Sequence, residues 1–141
     1  AIALRWQERG GTFITLVHPS AVVAQGVVLG PGTVLCAGAI VNTGSRIGSH
    51  VILNTACSVD HHNMIADYAH IAPGVRLGGD VQIAEGTLIG IGAAVLPQRS
   101  VAAWACVGAG AVVTRSVESH QTVIGVPAVP LPTSDREHVH N

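Results

Sequence analysis

Proton-transfer chemistry in this chain is concentrated in one stretch, Val59-Asp60-His61-His62-Asn63-Met64-Ile65-Ala66-Asp67-Tyr68-Ala69-His70-Ile71-Ala72-Pro73-Gly74. An imidazole can take the proton that an amine or hydroxyl must lose when it attacks an activated carbonyl, and a nearby carboxylate can orient that ring. His61 and His62 are adjacent, Asp60 precedes them, and Asp80 follows His62 by eighteen residues. The remaining histidines, His18, His50, His120, His138 and His140, are dispersed.

The elements that must position these groups follow one rule. Stepping by six from Val17 meets Val23, Leu29, Leu35, Val41, Ile47 and so on to Val113, and each of these seventeen positions is Val, Ile or Leu. Ser119 breaks the series. The residue after each aliphatic is usually small or turn-prone (Gly30, Asn42, Gly48, Asp60, Gly78), and the residue two before it is small or β-branched (Thr33, Ala39, Val51, Cys57). A period of six is neither the 3.6 of a helix nor the 2 of a simple strand. It is the repeat of a β-helix whose hexads each give one short strand and one corner, three to a triangular coil of eighteen residues. Coils then stack about 4.8 Å apart. Ahead of the repeats, Leu4–Arg9 reads as a helix closed by Gly10-Gly11, and Thr12–Val17 reads as a strand.

Composition narrows the function. The 141 residues carry 7 Lys+Arg against 8 Asp+Glu and only 2 Trp, 1 Tyr and 1 Phe, so neither a basic stripe nor an aromatic platform for nucleic acid is present. Pro19 to Ser45 lacks charge, yet six of its residues are glycine or internal proline at close intervals, which argues against a membrane span. Cys36, Cys57 and Cys106 form no Cys-x-x-Cys pair and read as small core thiols of a reducing, cytoplasmic compartment. Because the chain starts at Ala1 and its only methionine is Met64, a fragment or processed product of a longer frame is expected.

Unbroken hexads of this kind resemble the hexapeptide-repeat acyltransferases. His18-Pro19-Ser20-Ala21, Asn54-Thr55, Asp60-His61-His62, His70-Ile71-Ala72-Pro73-Gly74, Gly108-Ala109-Gly110-Ala111-Val112-Val113 and Gly125-Val126-Pro127-Ala128 resemble more closely the sialic acid O-acetyltransferase and nucleotide-sugar 4-N-acetyltransferase family, which includes the bacillosamine-type enzymes. The resemblance implies an all-β, left-handed parallel β-helix, a handedness that crossover statistics would not favour. It also implies acetyl-CoA as co-substrate, no metal, an amino sugar or nucleotide-sugar as acceptor, and a homotrimer with sites between neighbouring prisms. By the same resemblance His61 is the general base, while His70, Gly79 and Ile91 lie along acetyl-CoA and Asn54 contacts substrate. The family commonly has an acid where this chain has His62, and a basic residue where it has Val129.

Coil arithmetic fills in the surroundings. Gly79 falls one coil above His61, which suggests a side-chain-free opening for a pantetheine arm, and Asp80 falls above His62. Either Asp80 or Asp60 is then a candidate for the missing acid. One side of the triangle, about five residues at roughly 3.3 Å each, spans some 16 Å, so His61 and His70 of one chain cannot meet a common ligand. His50 stacks under Tyr68 and reads as structural. The expected organisation is a remnant of an amino-terminal α/β sugar-binding domain (1–16), the β-helix (17–117), and an extension with a mobile tail (118–141). O-acetylation of a sugar, a zinc enzyme of the gamma carbonic anhydrase type and a non-catalytic trimeric scaffold are the alternatives.

Overall fold

The computed structural model describes residues 2–132. His138, His140 and most of the tail from Pro130 lie outside the described residues. Seventeen two-residue strands recur every six residues from Leu16–Val17 to Val112–Val113 and stack into three parallel sheets, here faces A, B and C of a triangular prism. Each strand pairs with the one eighteen residues on, as His70–Ile71 does with Leu88–Ile89 and Arg76–Leu77 with Ala94–Val95. The second residue of each strand is the hexad aliphatic. From Leu35 onward all of these are buried, as are the companions two positions earlier from Thr33 to Ala93. The first residue of each strand faces outward. Burial pushes the Cys57 thiol up to about 12, so it behaves as a packing group.

Two classes of glycine make the corners, and only one needs a special backbone. The left-handed position lies three residues after the aliphatic. It holds Gly26, Gly32, Gly38 and Gly44, and then His50, Ala56, His62, Tyr68 and Asp80, all at positive φ. The glycine directly after an aliphatic serves a different purpose. A Cβ on Gly30 would come within 2.5 Å of the Gly48 backbone one coil away, so its absence is what lets coils approach.

The ends depart from the simplest expectation. Of Thr12–Val17 only Leu16–Val17 is laddered, onto Val34–Leu35, and like every strand of the repeat it is two residues long, because each hexad bends into a corner on either side. Val17 and Val23 stay exposed because their strands end faces A and B, so among the described residues no coil covers them from below. At the other end the last coil is two residues short. Val117 pairs with Val101 and Val123 with Val107, so both are buried although neither continues the count of six. Face A then closes with the antiparallel strand Val129–Pro130, and the prism runs past residue 117. The helix Ile2–Gln7 ends in a glycine cap in which the Gly10 and Gly11 amides donate to the Gln7 and Trp6 carbonyls, with Gly10 at φ 80°.

Candidate active site

His61 and His62 occupy the corner that leads from face B (Ser58–Val59) to face C (Met64–Ile65). Both are exposed, and their Nδ1 atoms lie 3.0 Å apart with the rings at 76°. One Nδ1 must therefore donate and the other accept. The rings lean in opposite directions along the prism, each onto a glycine. A Cβ on Gly79 would overlap the His61 ring, and one on Gly44, a coil below, would overlap that of His62. The opening expected above His61 is thus filled by its own imidazole.

The two acids differ in what they hold. Asp60 Oδ1 accepts the His61 backbone N–H at 2.8 Å and the Asn42 amide at 3.1 Å, so this carboxylate shapes the corner instead of gripping a ring. Those hydrogen bonds, the His61 amide first, hold the Asp60 carboxyl below the usual carboxylate range. Asp80, at φ 56°, carries its carboxylate over the pair, and one ligand atom each from His61, His62 and Asp80 lie within 4.8 Å of one another.

Beneath this corner lies a residue the sequence reading passed over. Asn63 is fully buried. Its Nδ2 donates to the carbonyls of Asp60 (2.6 Å) and Gly78 (3.0 Å), and its Oδ1 accepts the Val81 N–H (3.0 Å). Ser45 Oγ supports the same carbonyl of Asp60 at 2.9 Å. Asn63 therefore ties the histidine corner to the Gly79–Asp80 corner. The signal was an amide in an inward column that from Ala21 to Ala93 otherwise holds only small, hydroxyl or β-branched residues.

His70 starts a strand of face A, the one face that does not meet the B–C corner. Asn54, at the corner between faces A and B, touches it: Asn54 Nδ2 lies 3.1 Å from His70 Nε2. Asn54 Oδ1 is taken by the Thr55 N–H at 2.8 Å, so the amide nitrogen faces the ring and the imidazole proton sits on Nδ1. Burial lowers the His70 pKa from its ordinary value. Ile91, 62% exposed, projects from the A–B corner of a higher coil. The named residues thus form two groups in one chain: Asp60, His61, His62, Gly79 and Asp80 at the B–C corner, and Asn54, His70 and Ile91 along face A and its corner with B. His50 stacks on Tyr68, with centroids 5.2 Å apart and planes at 4°.

Two grooves flank the histidine corner. One of about 390 Å³ runs along face B from Asp60 past Ser58 and Arg76 to Leu96 and Pro97. The other, about 430 Å³, lies along face C over Met64, Gln82 and Ser100. Among the described residues no helix is long and apolar enough to cross a membrane.

No protein-family model matches the chain. Solved structures do. The acetyltransferase domain of PglB from Neisseria gonorrhoeae in complex with acetyl coenzyme A is 38% identical, with a TM-score of 0.90 over 92% of this chain and 63% of that one. PerB from Caulobacter crescentus, in complex with CoA and GDP-perosamine, is 35% identical with a TM-score of 0.89, over 93% of this chain and 63% of that one. WeeI from Acinetobacter baumannii is 30% identical with a TM-score of 0.89, over 92% of this chain and 64% of that one. The chain resembles these proteins along nearly its whole described length, in line with the motifs quoted above, and spans somewhat under two thirds of theirs.

Proposed function

We propose that this chain is the acyl-transfer part of an acetyl-CoA-dependent enzyme that acetylates the amino group of a nucleotide-linked amino sugar. The observation that carries the reading is the His61–His62 corner, set on a prism that matches acetyltransferases crystallised with CoA and acetyl coenzyme A at TM-scores of 0.89 and 0.90. PerB, whose crystals hold GDP-perosamine, supports an amino sugar as acceptor.

In this mechanism the acceptor nitrogen attacks the thioester carbonyl, His61 Nε2 takes the proton that nitrogen sheds, and the carbon–sulfur bond breaks to give the N-acetyl sugar and the CoA thiolate, which takes up that proton to leave as CoA. Nε2 is a base only if the His61 proton sits on Nδ1. His62 Nδ1, 3.0 Å from His61 Nδ1, supports that tautomer when it is the acceptor of the Nδ1–H, the duty that a carboxylate usually performs. Asp80 faces the imidazolium that forms. His70, Asn54 and Ile91 contact acetyl-CoA or acceptor from a neighbouring subunit. Support for a homotrimer is that His70 stands on the face opposite the His61 corner, so one site using both draws on two chains. Location in the cytoplasm follows from the supply of acetyl-CoA and nucleotide-sugars, and the unpaired Cys36, Cys57 and Cys106 agree with it.

The test is to incubate the purified protein with acetyl-CoA and a panel of nucleotide-linked 4-amino sugars and their hydroxyl counterparts, following thiol release and product mass. Acetylation of an amino sugar is expected. His61→Ala should lower the rate about 10²–10⁴-fold with acetyl-CoA affinity kept. An equal rate in that variant would remove His61 as the base, and transfer only to the hydroxyl sugars would replace the acceptor.

A further inference from the structure

A pair of imidazole nitrogens facing each other can share a proton, and it can also share a metal ion. We propose that His61, His62 and Asp80 form a chelating site for a divalent transition-metal ion of the zinc type, and that occupancy of this site disables His61 as a base. The second half rests on the function proposed above; the first does not.

The geometry is already close to a chelate. Zinc bound by two imidazoles at about 2.0–2.1 Å in a tetrahedral arrangement places the nitrogens some 3.3 Å apart. The His61 and His62 Nδ1 atoms stand at 3.0 Å, so opening by a few tenths of an ångström, with a rotation of both rings that turns their lone pairs to one point, forms the pair of bonds. The corner that carries the rings is fixed: its backbone is tied down by Asn63, Ser45 and the Asp60 carboxylate, and each ring lies against a glycine with no room for a Cβ. Asp80 offers a carboxylate oxygen within 4.8 Å of a ring nitrogen of each histidine, and its exposed side chain can approach the pair by rotation. Arg99, beside Asp80 in the same shallow groove, directs Nη1 to the Gln98 carbonyl. All three ligands are exposed, which gives the ion an entry path and leaves its fourth position to water.

The effect on chemistry follows from proton placement. In the neutral tautomer that makes His61 a base, His61 carries its hydrogen on Nδ1 and His62 on Nε2. A metal ion needs both Nδ1 lone pairs, so the His61 hydrogen moves to Nε2 and no proton is released. Nε2 is the atom that must accept the acceptor's proton, and it is then occupied.

Zinc chloride titrated into the full chain by calorimetry is the direct test. His138 and His140 are replaced by Ala in every sample to remove any tail background, and cobalt(II) absorption serves as a second readout. One ion per chain is expected. His62→Gly, whose residue suits φ 58°, should weaken binding beyond the roughly 10–100-fold typical of outer-shell losses, and Asp80→Asn about tenfold. Failure to bind stoichiometrically, or binding equal in His62→Gly, overturns the site. Where acetyl transfer is observed, zinc should suppress it reversibly to chelator; binding without inhibition overturns the second half. Binding in a protein that transfers no acetyl group leaves the site standing and removes the proposed function instead.

Discussion

The most demanding contact at the residue scale is the His61 ring on Gly79. Since a Cβ at position 79 would sit 2.5 Å from His61 Nε2, Gly79→Ala must turn the imidazole aside. A displacement near 1 Å of a catalytic group costs about 10²-fold. We expect kcat for acetyl transfer to fall by that order while the melting temperature barely changes, because position 79 is not one of the positive-φ glycines. An unchanged kcat would show that the ring has no need of its seat. His70 gives a second residue-scale expectation. Burial disfavours its charged form, so its NMR titration midpoint should lie below the ordinary imidazole value. The sign for stability is then fixed. As pH falls through the ordinary value, the unfolded chain takes a proton that the folded chain still refuses, and stability drops until the folded midpoint is passed. Asn54→Ala admits water to the ring and should move the midpoint back up.

Among the elements, the corners carry most of the candidate site residues and the inward columns hold the corners in register. Asn63 joins two corners from inside the prism with three hydrogen bonds. Asn63→Ala leaves the Gly78 carbonyl and the Val81 N–H buried without these partners, which costs about 1–3 kcal/mol for each such group. Urea unfolding should show a loss in that range or above. Acetyl transfer should fall too, because Asp80 and His61 are no longer fixed relative to each other. A variant that loses stability but keeps full activity at low temperature would confine Asn63 to a structural role.

For the whole molecule, the separation of the His61 corner from face A makes the subunit count testable. If the chain assembles as the proposed homotrimer, His61→Ala and His70→Ala chains denatured and refolded together create interfaces where one chain brings an intact His61 and its neighbour an intact His70. The mixture should exceed the average rate of the two variants refolded apart. A rate no higher than that average would place the site within one chain, or leave His70 outside it.

Much of this architecture was legible in the residue order. A β-helix repeats its environment every six residues, and an aliphatic side chain is required at each inward position, so Val17 through Val113 declared the prism and the eighteen-residue coil. The same arithmetic set Gly79 over His61 and Asp80 over His62. Other features depended on side-chain rotation, which periodicity does not encode. The facing Nδ1 atoms of His61 and His62 arise because one ring leans up onto Gly79 and the other down onto Gly44. The Asn54–His70 contact joins a corner residue to a strand residue of the next coil, an offset of sixteen that a count of eighteen separates. Asp60 shows the limit from the other side: its place beside His61 was plain, but only the folded corner directs its carboxylate to a backbone amide instead of a ring. Val117 and Val123 lie beyond a two-residue shortening, where burial against the coil below, not the count, decides which side chains turn inward.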